Sequence, residues 1–119
     1  MADCGFSDIY GVLYVGYKSA HVPTFLLQLA DIGAKIRYGY SLKEMRPIDS
    51  LYDNTIPILF IHGADDNFIL PKNSEDMAAA SKGYTEYYTI EGAGHAYSVL
   101  TNPEEYMEHV RVFLGNIHK

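Results

Sequence analysis

The hydrophobic pattern divides the chain into a helical first part and a second part in which strands alternate with helices. Residues 8–46 carry apolar side chains at helical spacing, and Pro23 falls in the first turn of the second predicted helix. Further on, the apolar run 58–61 shows no alternation with polar residues and stops at Gly63. Such a run is typical of a strand buried on both faces, as in a parallel sheet.

Beyond this strand, the pattern predicts a helix, a second strand and a final helix. The segment "SEDMAAASK" reads as a helix that Asn73 or Ser74 can cap and that Gly83 ends. The aromatic and β-branched residues of "YTEYYTI" favour a strand. Asn102 and Pro103 then predict the start of the last helix. Its apolar stripe consists of Tyr106, Val110, Phe113, Leu114 and Ile117.

The order strand, helix, strand, helix over residues 56–119 predicts an α/β fold with parallel strands joined by a right-handed crossover. Two parallel strands are too few to form a sheet covered on both faces. We therefore expect an incomplete sheet, in which residues 1–119 are one part of a larger domain and upstream sequence or a partner chain completes it. The exposed sheet edge also predicts self-association of the chain.

Composition narrows the classes of function. The net charge is −6 and the acidic residues are spread along the chain, which argues against a nucleic-acid-binding surface. No apolar run approaches the ~20 residues of a membrane span, so we expect no membrane segment in this chain. Cys4 is the only cysteine and cannot form an internal disulfide. It favours a reducing compartment such as the cytoplasm, although an upstream signal or anchor would change that localisation.

The candidate chemistry lies in the loops that follow the two predicted strands. The first loop, "HGADDNFI", offers His62, Asp65 and Asp66, and the second, "EGAGHAYS", offers Glu91 and His95. Functional groups of open α/β sheets gather at the carboxyl ends of the strands. If the strands are adjacent, a carboxylate near position 66 can hold the imidazole of His95, which is the acid and base arrangement of a catalytic triad.

The segments "PILFIHGADDNFI" and "IEGAGHAYS" together resemble the carboxyl-terminal part of the α/β-hydrolase superfamily. In that superfamily an HGxxDxxV loop carries the catalytic acid and a GxGH loop carries the base, and the resemblance is greatest to serine hydrolases of the esterase and peptidase type. It implies Asp66 as the acid, His95 as the base and Asp65 as a solvated neighbour. It also implies cofactor-free cleavage of a small ester, thioester or amide through an acyl-enzyme. The proline that usually follows the DxxV position is displaced to Pro71.

The nucleophile of this superfamily has no counterpart in the sequence. A G-x-S-x-G elbow is absent, as is an HGGG-type oxyanion loop. We therefore expect the nucleophile to lie upstream of Met1, the chain to be a carboxyl-terminal fragment, and the fragment alone to be inactive. Ser41 in "GYSLK" precedes Asp66 and His95 in the correct order. However, Lys43 replaces the last glycine, and 25 positions are too few to hold the elements that separate nucleophile from acid.

Several residues also have simpler interpretations. His62 is interpreted as a structural residue at the strand end, and Cys4 as a buried, inert thiol. Metal binding by His62 with Asp65, Asp66 and His95 is disfavoured because no ligand spacing supports it.

Two alternatives stay open at the level of the whole chain. Residues 8–46 form either a cap over the active site or an ordinary packing layer. The alternative function is a non-catalytic binding or assembly domain that keeps an α/β-hydrolase-like fold.

Overall fold

A computed structural model describes residues 1–118 of the chain. These residues form three strands, five α-helices and two short 3₁₀ helices. The strands are β1 (Ala2–Asp3), β2 (Ile58–Gly63) and β3 (Thr85–Ile90). The α-helices are α1 (Ile9–Ser19), α2 (Phe25–Tyr38), α3 (Lys72–Ala80), α4 (Ser98–Thr101) and α5 (Pro103–Ile117). The 3₁₀ helices are Leu42–Glu44 and Pro47–Leu51.

The backbone divides into two compact units. The helical unit contains residues 8–47, with α1 and α2. The sheet unit contains residues 1–7 and the described residues from 48 onward, with all three strands and α3 to α5. Both candidate loops therefore belong to the sheet unit.

The three strands form one parallel sheet in the order β1-β2-β3. Strands β2 and β3 pair along their whole length, from Ile58 opposite Thr85 to Gly63 opposite Ile90. The α/β class and the parallel pairing predicted from the sequence are therefore confirmed. The third strand, β1, was not predicted, because two residues are too short to carry a hydrophobic period.

The core lies between the sheet and α5. Its buried members are Leu59, Ile61, Ile90, Ala93, Tyr106 and Phe113. Val110 and Ile117 pack against this cluster, whereas Leu114 is 45% exposed. The predicted stripe of α5 is therefore confirmed except at Leu114, which lies just beyond the edge of the face that contacts the sheet.

Polar contacts fix both the start of α5 and its attachment to β1. The Asn102 side chain accepts a hydrogen bond from the Glu105 N–H at 3.2 Å, so the predicted cap is confirmed. The Tyr106 hydroxyl donates to the Asp3 carboxylate at 3.1 Å. Burial, together with this nearby carboxylate, raises the pKa of Tyr106 to about 12.

Helix α3 begins and ends differently from the prediction. Pro71 precedes its first residue, and no side chain caps the helix. Asn73 and Ser74 instead lie in the first turn, where the Ser74 hydroxyl bonds to His62. Gly83 lies three residues beyond the end of α3 and does not end the helix. A glycine fits at this position because a Cβ there would lie 2.9 Å from the carbonyl oxygen of Ile56.

In the helical unit, α2 buries one face and exposes the other. Leu27 and Asp31 are buried, whereas each residue of an apolar stripe on the opposite face is more than half exposed. This stripe consists of Phe25, Leu29, Ile32 and Ile36. Pro23 lies two residues before α2 rather than in its first turn. Within residues 1–118, none of the helices has the length and apolar character needed to span a membrane.

Candidate functional site

The two candidate loops begin side by side because β2 and β3 end at the same level. Gly63 and Ile90, the last residues of the two strands, are partners in the sheet register. The pairing continues beyond the strands, since the Ala64 N–H donates to the Ile90 carbonyl at 2.9 Å. The Asp65 N–H likewise donates to the Ala93 carbonyl at 3.0 Å. The backbone itself therefore joins the loop of Asp66 to the loop of His95.

Gly63 makes this close approach of the loops sterically feasible. A Cβ at this position would contact the carbonyl oxygen of Ala93 and lie 2.5 Å from that of Gly94. Both are backbone atoms, which cannot rotate away as a flexible side chain would. The glycine that ends β2 is therefore the residue over which the histidine loop passes.

Asp66 is the centre of the site. It is 1% exposed, and hydrogen-bond donors surround its carboxylate. Oδ1 accepts from the backbone N–H groups of Phe68 and Ile69, each at 2.9 Å. Oδ2 is 2.8 Å from Nδ1 of His95 and 3.0 Å from Nε2 of His62.

These donors keep the buried carboxyl ionised. Burial by itself raises the pKa of Asp66. The hydrogen bond with His95 and the backbone hydrogen bonds from Ile69 and Phe68 outweigh burial and hold the pKa below its ordinary value. Asp66 is therefore a carboxylate at neutral pH. It can accept a hydrogen bond from the Nδ1–H group of His95 and can stabilise an imidazolium.

The contacts of His95 indicate which ring nitrogen carries the hydrogen. Its Nδ1 bonds to the Asp66 carboxylate, so Nδ1 carries the hydrogen and Nε2 of the neutral ring carries a lone pair. The side chain is 35% exposed, and the edge of the ring meets Phe68 with 5.1 Å between ring centroids. Gly92 and Ala96 adopt left-handed backbone conformations, with φ of 72° and 58°, on either side of His95. The loop thus turns sharply and places a partly exposed imidazole beside a buried carboxylate.

His62 is the residue whose contacts the sequence interpretation missed. Its side chain is fully buried at the end of β2, as expected of a structural residue. However, Nε2 lies 3.0 Å from Oδ2 of Asp66 and 2.8 Å from the carbonyl oxygen of Ile69. Nδ1 lies 2.7 Å from the Ser74 hydroxyl. The only sequence signal for this contact is the position of the histidine four residues before the aspartate.

Two other sequence candidates, Asp65 and Ser41, have different surroundings. Asp65 is exposed, as expected of a solvated neighbour. Ser41 belongs to the helical unit, where its hydroxyl donates to Asp31 at 2.6 Å. Its oxygen also accepts from the Lys43 N–H at 3.1 Å and caps a 3₁₀ helix. This capping role gives Ser41 a function in the fold and agrees with its rejection as a nucleophile.

One cluster has the residue types of a metal site. Potential donor atoms of Cys4, His62 and Asp66 lie within 4.8 Å of one another. Both His62 nitrogens are already engaged in hydrogen bonds, and burial raises the pKa of Cys4, which keeps the thiol protonated. Among the described residues, no buried side-chain nitrogen or oxygen lacks a hydrogen-bond partner. These donors fit a closed hydrogen-bond network better than a metal centre, which needs deprotonated ligands.

Known proteins that are similar to the chain include one relative in sequence and two solved structures. No protein-family model matches the chain. The chain is 31% identical over 120 residues to the uncharacterized protein YqkD of Bacillus subtilis (strain 168), a match that covers 99% of this chain and 39% of YqkD.

Two solved structures are similar to the chain, both at 22% sequence identity. The "Putative non-heme bromoperoxidase BpoC" of Mycobacterium tuberculosis H37Rv matches with a TM-score of 0.54, over 65% of this chain and 30% of its own. MGS-MChE2, an alpha/beta hydrolase enzyme from a sediment metagenome of the Mar Chica lagoon, Morocco, matches with a TM-score of 0.56, over 80% and 39%. The chain thus spans well under half the length of each of these three proteins. With its parallel sheet and flanking helices, the chain has part of an α/β-hydrolase fold.

Proposed function

We propose that this chain supplies the acid and the base of a serine hydrolase that cleaves small esters, thioesters or amides through an acyl-enzyme. The observation that carries the proposal is the 2.8 Å contact between Asp66 and His95, made by two loops at the carboxyl ends of adjacent parallel strands. This edge of an α/β sheet is where functional groups gather. The resemblance of the two loops to the acid and base loops of α/β-hydrolases supports the same roles.

In this mechanism His95 moves the proton and Asp66 does not. Nε2 of His95 takes the proton from the attacking hydroxyl and later returns it to the leaving group. The ring is positively charged between these two steps. The buried carboxylate of Asp66 stabilises that charge and holds the hydrogen on Nδ1, so that Nε2 stays free to act as the base.

The nucleophile and the oxyanion hole belong to residues outside this chain. The Ser41 hydroxyl is engaged with Asp31, and the chain has no G-x-S-x-G elbow. The match to YqkD leaves more than half of that relative uncovered, which is enough for several further strands and helices. We therefore infer that a longer protein containing this chain provides the attacking serine.

The test compares ester hydrolysis by this chain with hydrolysis by the longer protein, using p-nitrophenyl acetate as the probe. We expect no turnover from the 119-residue chain and measurable turnover from the longer protein. His95→Ala should abolish that turnover. Asp66→Asn should lower kcat by about 10⁴-fold, because the amide favours the wrong tautomer of the base.

Asp65→Asn is the matched control, since it removes a charge from the exposed neighbouring residue and should leave turnover close to wild type. Turnover by the isolated chain that survives Ser41→Ala would contradict the proposal. So would a longer protein whose activity is unchanged by His95→Ala. A longer protein without hydrolase activity would favour the alternative of a non-catalytic binding or assembly domain.

A further inference from the structure

The acid of the proposed pair has a second histidine partner. We propose that His62, held in turn by Ser74, is a positioning residue that fixes the orientation of the Asp66 carboxylate. The inference rests on the proposed function, in which Asp66 is the catalytic acid. It adds a chain of contacts from α3 to the base, through Ser74, His62, Asp66 and His95.

The neighbours of His62 determine where its hydrogen lies. Nε2 faces two acceptors, Oδ2 of Asp66 and the carbonyl oxygen of Ile69, so this nitrogen carries a hydrogen and donates it. In the neutral ring Nδ1 is then an acceptor, and the Ser74 hydroxyl 2.7 Å away donates to it. Ser74 is itself fully buried in the first turn of α3. The serine thereby selects the tautomer that lets His62 donate to the acid.

The geometry explains why such a donor matters for His95. Two backbone N–H groups hold Oδ1 of Asp66 on one side. On the other side, Oδ2 accepts from both imidazoles. His95 is partly exposed and lies on a loop, whereas His62 is fully buried and bonded through both ring nitrogens. His62 is therefore the fixed donor, and it keeps Oδ2 aimed at Nδ1 of His95 when the base changes its charge.

Ionisable groups face Asp66 from three sides. His62 comes from β2, His95 from the loop after β3, and Cys4 from the loop after β1. The Cys4 thiol is buried and accepts a hydrogen bond from the Ala96 N–H at 3.3 Å, and burial raises its pKa. Cys4 therefore adds no negative charge near Asp66 at neutral pH. This leaves the two histidines as the other ionisable side chains in contact with Asp66.

The experiment is NMR spectroscopy of the 119-residue chain, which needs no substrate and no nucleophile. Long-range ¹⁵N–¹H spectra report the histidine tautomers, and ¹³C spectra of the carboxyl groups follow the titration of Asp66. We expect His62 to carry its hydrogen on Nε2. His62→Leu removes the donor, so the pKa of Asp66 should rise toward the ordinary value and the Nδ1–H signal of His95 should shift and broaden.

His62→Gln provides the rescue, because its amide N–H can occupy the position of Nε2. It should keep both signals near wild type, which a merely space-filling role for His62 would not require. His109→Gln is the matched control at a histidine that stacks on Tyr88 instead. It should leave Asp66 and His95 unchanged.

Because His62→Leu can fail to fold, Ser74→Ala gives a second and milder variant. It should shift the Asp66 titration in the same direction by a smaller amount, whereas Ser98→Ala, at another fully buried serine, should not. Unchanged titration of Asp66 and an unchanged His95 signal in folded Ser74→Ala and His62→Leu would overturn the inference. A wild-type spectrum with the His62 hydrogen on Nδ1 alone would overturn it as well.

Kinetics in the longer protein separate this inference from the proposed function. If that protein hydrolyses p-nitrophenyl acetate, His62→Leu should lower kcat by about tenfold, as expected for the loss of one hydrogen bond to a buried charged group, and His62→Gln should restore most of it. Activity that depends on His95 but not on His62 would refute the positioning role alone. Absence of any activity would refute the proposed function and leave the NMR result as the measure of the network.

Discussion

Asp66 combines two properties that are costly together, since it is almost completely buried and it is ionised. An isolated carboxylate in such a position would take up a proton instead. Here two backbone N–H groups and two imidazoles donate to it. The hydrogen bonds from His95 and from the backbone of Ile69 and Phe68 outweigh the effect of burial on its pKa. The charge of the site therefore depends on the donors around one carboxyl group. Because these donors lower the pKa of Asp66 in the folded chain, the stability of the fold also depends on pH.

We predict that Asp66 contributes stability that is lost in acid. Its pKa in the folded chain lies below the ordinary value of about 3.9, so the unfolded chain binds the proton more readily. The contribution is complete above that ordinary value and disappears as the pH falls through the folded pKa. Urea unfolding of wild type and Asp66→Asn between neutral pH and about pH 3 measures it, and the difference between the two free energies should shrink below about pH 4.

Asp65→Asn is the control for this unfolding experiment, because it removes an equal charge from an exposed neighbour of Asp66. This variant should keep the acid dependence of the wild type. If Asp66→Asn also kept the full acid dependence, the low pKa assigned to Asp66 in the folded state would be wrong.

At the scale of elements, the site depends on how one loop passes over the end of another strand. Of the glycines in these two loops, Gly63 is required by close contact with backbone atoms and Gly92 by its left-handed conformation. Gly94 has no atom within 4 Å of the position of an added Cβ and does not have a positive φ. Glycines that look equivalent in the sequence are therefore not equivalent in the structure.

This difference gives a matched pair of substitutions. Gly63→Ala should destabilise the chain by about 1–3 kcal/mol, because its methyl group displaces the carbonyl groups of Ala93 and Gly94. It should also shift the NMR signals of His95, since the displaced loop carries the base. Gly94→Ala should change stability by less than about 0.5 kcal/mol and leave His95 in place. Equal effects of the two substitutions on urea unfolding would argue against the close packing of Gly63 on the loop that carries His95.

The elements that the sequence predicted well are those with strong local signals. Strands β2 and β3 and helix α5 each have an apolar pattern or a cap that acts over a few residues. The adjacency of Asp66 and His95 followed from parallel pairing alone, whereas their catalytic roles stay predictions. Strand β1 and the contacts of His62 were missed because each depends on residues brought together only by folding. Leu114 lies near these residues on the helix surface, but just beyond the edge of the face that contacts the sheet, and it is exposed.

For the whole molecule, the main feature is an incomplete parallel sheet with edges at β1 and β3. Strand β1 is only two residues long, whereas β3 has six. The carbonyl groups of Tyr84 and Ile90 accept hydrogen bonds from the β2 side. Since backbone groups alternate along a strand, the N–H and C=O groups of Thr85, Tyr87 and Thr89 face the outer edge. A six-residue edge of this kind can pair with a second copy of the chain.

We therefore predict that the chain self-associates through the outer edge of β3, which light scattering after size-exclusion chromatography would detect as a mass greater than one chain. Thr89→Pro removes an outward N–H group at a position where proline is compatible with an edge strand. It should return the mass to that of a single chain, with circular dichroism confirming that the fold is retained. Ile36→Lys is the comparison, because it places a charge on the exposed stripe of α2, where Ile36 is 82% exposed. Dissociation by Ile36→Lys but not by Thr89→Pro would assign self-association to the helical unit, and a wild-type mass of one chain would exclude it at both surfaces.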